Sequence, residues 1–79
     1  MYTIYTKEDC NYCDNLKKLL DVQKIEWHDI QIGRDISRDD FLKTFPEVKK
    51  VPLVIDGDKL IGGYNDMVEV LRDANSNKN

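Results

Sequence analysis

The sequence predicts an α/β fold: a four-stranded mixed sheet with three helices on its two faces, in the order βαβ, α, ββα. Three observations predict it. Apolar residues alternate over residues 2–6, then change to helical spacing at Tyr12, Leu16, Leu19 and Leu20. A second strand follows that helix, and a strand–helix–strand unit of this kind is parallel with a right-handed crossover. Further on, two short apolar runs flank Asp56-Gly57, a hairpin signal, and pair antiparallel. A mixed sheet covered by helices buries both kinds of pair compactly.

Residues 2–6, rich in Tyr, Thr and Ile, suit a strand. Lys7-Glu8-Asp9 is a polar loop. The first helix begins near Tyr12 with Asp14 and Asn15 in its first turn, turns Lys17 and Lys18 to water, and frays near residues 21–23. A second strand is expected over residues 26–30, broken by Gly33. Ser37 then reads as an N-cap with Asp40 three residues on, and Ile36 and Phe41 sit at staple positions. Phe41, Leu42 and Phe45 give that helix an apolar face, and Pro46 stops it. Residues 51–55 form the third strand, with Pro52 confined to its end because it cannot donate to a ladder. Residues 59–61 return as the fourth. Gly62-Gly63 bends the chain, and Asn65 can cap a last helix with Met67, Val70, Leu71 and Ala74 on its core face. Residues 75–79 read as a frayed polar tail.

One domain, residues 1–79, accounts for this order, with no repeat or linker. The chain has 12 basic and 15 acidic residues, a formal net charge of −3. That balance argues against general nucleic-acid binding, which needs a basic surface, and offers nothing to an anionic membrane. No stretch approaches the roughly 20 apolar residues that span a bilayer. The first five residues are too short for a signal peptide.

Cys10 and Cys13 are the only cysteines. Two cysteines this close can close a small disulfide ring and reopen it. Cys10 falls where unpaired N–H groups converge at a helix start, which favours its thiolate, the nucleophilic form. Lys7 adds to that effect; Asp9 and Asp14 oppose it across screening solvent. Cys10 is therefore expected to ionise more readily than Cys13. A lone pair of this spacing in a small chain points to a reducing intracellular setting and redox chemistry. Zinc needs about four ligands, and two cysteines with the distant His28 do not supply them. His28, in mid-strand, reads as a surface or satisfied strand residue, and Trp27 as sheet packing. Lys49 and Lys50 read as solvated loop charges unless the neighbouring Val51-Pro52 gives them a ligand.

Taken in order, Tyr5-Thr6-Lys7, Cys10-Asn11-Tyr12-Cys13, Val51-Pro52 and Ile61-Gly62-Gly63-Tyr64-Asn65-Asp66 resemble the glutaredoxins, small members of the thioredoxin-fold superfamily. The resemblance covers essentially the whole chain and implies a thioredoxin-like fold. It implies a glutathione-dependent thiol–disulfide oxidoreductase acting on protein disulfides and on glutathione mixed disulfides. By it, Cys10 matches the nucleophile and Cys13 the resolving cysteine. Lys7 and Tyr12 match residues lining a glutathione site, and Val51 the residue whose backbone pairs with the glutathione cysteine. Pro52 matches the family's cis-proline. Gly62, Gly63, Asn65 and Asp66 match the segment that holds the γ-glutamyl end. Arg38 and Lys50 supply cations for carboxylates. Asn11 stands where the family commonly has Pro, and Lys50 where it commonly has Thr. The resemblance further implies glutathione as reductant, no resident metal, a monomer in the cytoplasm, and disulfide-bearing or glutathionylated protein partners, ribonucleotide reductase among them by analogy. Two other readings share the cysteines: a redoxin served by a thioredoxin-type reductase, and a carrier of a glutathione-ligated iron–sulfur cluster.

Overall fold

The computed structural model describes residues 1–76, with side chains through residue 73. β1 (Tyr2–Thr6) leads into α1 (Asn11–Val22), and α1 returns the chain to β2 (Trp27–Gln31). α2 (Arg38–Thr44) follows, then the hairpin of β3 (Leu53–Asp56) and β4 (Lys59–Gly62), and last α3 (Tyr64–Ser76). The strand order is β2-β1-β3-β4. β1 runs parallel to β2, from Tyr2 opposite Trp27 to Thr6 opposite Gln31, and antiparallel to β3.

The period of two along β1 decides where the helices sit. Ile4 is fully buried among Leu16 and Leu20 of α1, Val54 of β3 and Met67 of α3. Tyr5 points the other way, with its ring 5.4 Å from Phe41 and 5.2 Å from Phe45. So α1 and α3 cover one face and α2 the other. Trp27 packs against the main core, and its indole N–H donates to Asp21 at 2.9 Å. His28 is exposed.

Several boundaries differ from expectation, each for a local reason. β3 begins at Leu53, because Pro52 has no N–H to give and the register with β1 opens at Leu53 opposite Tyr5. The Val51–Pro52 bond is cis, as the resemblance implies. The hairpin loop is Gly57-Asp58, one residue beyond Asp56-Gly57: Asp56 still pairs with Lys59, and Gly57 takes the positive φ of 63°. Ser37 does cap α2, accepting the Asp40 N–H at 3.0 Å. Leu42, expected on the inner face with Phe41 and Phe45, is 41% exposed. Tyr5 takes the rings at i and i+4, and Leu42 lies about 100° round the helix from Phe41.

The last helix starts differently too. Asn65 does not cap it. The Gly63 carbonyl accepts the Met67 N–H at 3.1 Å, and Asp66 reaches back to accept the Gly63 N–H at 2.8 Å. Gly63 is thus the cap and Asp66 the third helical residue, half of a capping box. α3 runs to Ser76, so residues 75 and 76 continue it where a tail was expected. The side chain of Ala74 and the tail at 77–79 lie outside the described residues.

α1 does not fray at its end; it is closed. The Ile25 N–H donates to the Leu20 carbonyl at 2.9 Å and the Lys24 N–H to the Asp21 carbonyl at 3.0 Å. These two bonds form a Schellman motif, which needs a left-handed residue, and Lys24 supplies it at φ 58°. A lysine there carries a cost that glycine would not. Lys24→Gly is expected to stabilise the fold by about 0.5–1 kcal/mol, the relief of the left-handed Cβ less the added freedom of the unfolded chain. Urea denaturation checks this; a loss of stability would show that the motif does not close the helix in solution.

A polar network anchors the end of β1. The Thr6 hydroxyl, on a residue 1% exposed, donates to Asp29 at 2.7 Å. Lys17 reaches the other Asp29 oxygen at 3.3 Å and Arg34 at 3.5 Å. Arg34 also meets Asp35 at 2.7 Å. The Arg34 hydrogen bonds, with the Gln31 N–H, hold the Asp35 carboxyl down at about 2. The segment leaving β1 toward the cysteines therefore starts from a fixed point.

Candidate active site

The chain leaves β1 through Lys7-Glu8-Asp9. Asp9 takes a left-handed φ of 54° and turns the chain into α1. Aspartate tolerates that region better than most residues. Cys10 then occupies the N-cap of α1 in an extended conformation. Its carbonyl accepts the Asp14 N–H at 3.1 Å, and its sulfur accepts the Cys13 N–H, also at 3.1 Å. A helix start leaves its first N–H groups without partners, and here one of them is aimed at sulfur. Sulfur takes the place that a serine or aspartate oxygen takes in an ordinary cap.

The two cysteines are joined in a disulfide, with Cα atoms 5.2 Å apart. They are not equivalent. Cys10 is 9% exposed and opens into a groove; Cys13 is 1% exposed and does not line that groove. Cys10 is thus less open than an exposed nucleophile would be.

That groove has two halves. One, about 870 Å³, includes Lys7, Cys10, Tyr12, Arg38, Lys50 and Val51 along its walls. The other, about 580 Å³, includes Pro52, Gly62, Gly63, Asn65 and Asp66. Tyr12, Val48, Lys49, Lys50 and Val51 line both and join them. Every residue that the resemblance assigns to the site except Cys13 borders this one groove, although the segments lie about forty residues apart in the chain. Val51 sits at its middle, half-buried and outside the β3 ladder. Neither its N–H nor its C=O has a backbone partner among the described residues.

Gly62 and Asp66 fix the far wall. Gly62 has φ 127°, and a Cβ there would lie 2.7 Å from Asp66 Cγ. The position has neither the backbone conformation nor the room for a side chain. Gly62→Ala is expected to cost about 1–3 kcal/mol and to pull Asp66 off the Gly63 N–H. Chemical denaturation reads the first effect, and faster exchange of the Gly63 amide reads the second. An unchanged Gly63 amide would mean that the cap does not depend on this contact.

Several groove residues were not legible in the sequence. The Tyr64 ring packs at a tilt against that of Tyr12, with centroids 5.7 Å apart, bridging the starts of α3 and α1. Its place directly after Gly62-Gly63 was the available signal. Leu42 borders the Cys10 half, and Leu60 borders the Asp66 half. Neither announces itself, because an apolar residue in an amphipathic element reads as core.

The glutaredoxin family model matches residues 2–61. That span holds both cysteines and Val51-Pro52 and stops short of Gly62. No curated protein gives a significant match. Among solved structures, a buckwheat glutaredoxin crystallised as a glutathione complex is 28% identical, with a TM-score of 0.76 over 92% of this chain and 69% of that one. Glutaredoxin 1 from Francisella tularensis, complexed with cacodylate, is 23% identical, with a TM-score of 0.72 over 98% and 96% of the two chains. The holo form of glutaredoxin C1 from Populus tremula x tremuloides is 24% identical, with a TM-score of 0.74 over 91% and 74%. The last two likenesses bear on the fold alone, which is thioredoxin-like. With its Cys10–Cys13 pair at the head of α1, this chain belongs to the glutaredoxin family of thiol–disulfide oxidoreductases.

Proposed function

We propose that the protein uses glutathione to reduce protein disulfides and glutathione mixed disulfides. One observation carries the reading: the Cys10 sulfur faces the groove and accepts a helix N–H, while Cys13 lies buried behind it. In the dithiol form that N–H favours the Cys10 thiolate. The thiolate attacks one sulfur of a substrate disulfide, and the other sulfur leaves and takes up a proton. Cys13 then attacks Cys10 Sγ, releases the second substrate thiol and closes the ring. One glutathione thiolate reopens the ring at Cys10. A second attacks the sulfur of the bound glutathione, leaving oxidised glutathione and the Cys10 thiolate.

The groove offers what glutathione needs. Lys7, Arg38 and Lys50 stand for its two carboxylates, and the free Val51 backbone for pairing with an extended peptide in the manner of an added strand. Tyr12 and Pro52 wall the site. The start of α3, with Gly62, Gly63 and Asn65, suits the γ-glutamyl carboxylate. Asp66 keeps one oxygen for the ammonium while the other holds Gly63. The buckwheat relative was crystallised with glutathione. On this reading the protein is a cytoplasmic monomer. Its partners are disulfide-bearing or glutathionylated proteins, with ribonucleotide reductase as one candidate.

The test is a coupled assay on a small disulfide with each electron source supplied alone. Turnover is expected with glutathione and its reductase, and none with a thioredoxin-type reductase. The reverse result would replace this reading with the redoxin one.

A further inference from the structure

The groove gathers charge of one sign. Lys7, Arg38, Lys49 and Lys50 border it, against only Glu47 and Asp66, in a chain whose formal net charge is −3. Asp66 is already engaged by the Gly63 N–H. Asp9 and Asp14 lie close in sequence to Cys10 but do not line the groove. None of the four cations has an ion-pair partner among the described residues, whereas Lys17 and Arg34 both do. Apolar surface gathers there as well. Of the five large apolar residues left exposed among the described residues, Tyr12, Leu42 and Leu60 border the groove.

Glutathione does not account for all of this. The function proposed above employs Lys7, Arg38 and Lys50 for the two carboxylates of a tripeptide. Lys49 is left over, although it borders both halves, and so are Leu42 in one half and Leu60 in the other. A longer extended chain, crossing Val51 with its cysteine at Cys10 and filling both halves, would have all three at its walls.

We propose that Lys49, with Leu42 and Leu60, selects the protein substrate: a disulfide-bearing segment with acidic residues beside the reacting cysteine and apolar residues flanking them. The inference rests on the thiol–disulfide activity proposed above but not on its use of glutathione. Charge complementarity of this kind acts mainly on the rate of encounter and on the exclusion of wrong partners. The chemical step is unchanged. The Cys10 thiolate bonds to one peptide sulfur, and the peptide S–S bond breaks. The other peptide sulfur leaves as a thiol after taking a proton. Cys13 then displaces the first, so the peptide gains two electrons and the protein loses two.

The test needs no glutathione. The protein is reduced, freed of reductant and mixed with either of two synthetic peptides. Both carry the same intramolecular disulfide ring and the same flanking leucines, with aspartates beside the cysteines in one and lysines in the other. The reduced protein is expected to react with the acidic peptide about fivefold to tenfold faster at low salt. The ratio should fall toward one in about 0.5 M sodium chloride, where the screening length is only a few ångströms. Lys49→Glu should bring the ratio to one or below. Leu42→Ser with Leu60→Ser should slow both peptides and leave the ratio standing. Equal rates in the parent protein, or a ratio that Lys49→Glu does not move, would overturn the proposal while leaving the redox activity in place. Reaction with neither peptide would overturn the activity and the proposal together.

Discussion

Cys10→Ser is expected to abolish reduction of a glutathione mixed disulfide, and Cys13→Ser to leave most of it. The difference follows from the two environments. Cys10 is the sulfur the groove reaches, and its replacement leaves a hydroxyl that does not ionise near neutral pH. The expected loss is about a thousandfold or more, roughly 4 kcal/mol of transition-state stabilisation. Cys13→Ser changes a side chain that does not line the groove and keeps the backbone. The N–H that supports the Cys10 sulfur belongs to that backbone, so the support survives. On a glutathione mixed disulfide the Cys10 thiolate takes the glutathione sulfur and frees the protein thiol. A second glutathione then restores Cys10, with no part for Cys13. On a protein disulfide Cys13 is needed to release the substrate, so Cys13→Ser should stall there as a trapped mixed disulfide. Rates on the two substrates and mass spectrometry of the trapped species check both halves. Equal loss in the two variants on the glutathione substrate would sink the division of roles.

The same contacts show what could be read from sequence. The relation between Cys10 and the Cys13 N–H is local, three residues within one helical turn, so residue types and spacing were enough to place it. Ile4 and Tyr5 were legible as opposite faces because strand periodicity is two, whatever packs on either side. The Ser37 cap was legible for the same reason: donor and acceptor are three residues apart. Of the readings that failed, one needed information from elsewhere in the fold, and two turned on local backbone bonds that residue type does not announce. Leu42 looks apolar and sits on an apolar face, but only the ring of Tyr5 decides which arc of α2 is covered. Lys24 gives no sign of a left-handed conformation, because the Schellman bonds that require it come from Leu20 and Asp21. Asn65 has the better cap chemistry, yet Asp66 reaches Gly63 and moves the helix start two residues earlier. The groove depends on distant segments meeting, which the family resemblance implied and local pattern did not. Tyr64 against Tyr12 and Leu60 at the rim belong to that part.

Leu16→Ala is expected to be the most damaging single change to stability. Leu16 lies one turn beyond Cys13, fully buried, and packs with Ile4, Leu20, Val54 and Met67. It joins the helix that carries the cysteines to the strand that leads into them. Removing it forfeits the transfer energy of the lost carbons and leaves a cavity between α1, β1 and α3, a cost of about 3–4 kcal/mol. A domain of this size has roughly 4–12 kcal/mol in total, so the loss is a large share. The thermal midpoint should fall by roughly 15–25 °C. Leu42→Ala supplies the contrast. It deletes the same atoms from a residue 41% exposed at the groove, and should change stability by about 0.5 kcal/mol or less. Calorimetry or denaturant titration of the two variants decides the matter. If Leu16→Ala cost no more than Leu42→Ala, α1 would not be seated on this core, and the fixed geometry of Cys10 would need another source.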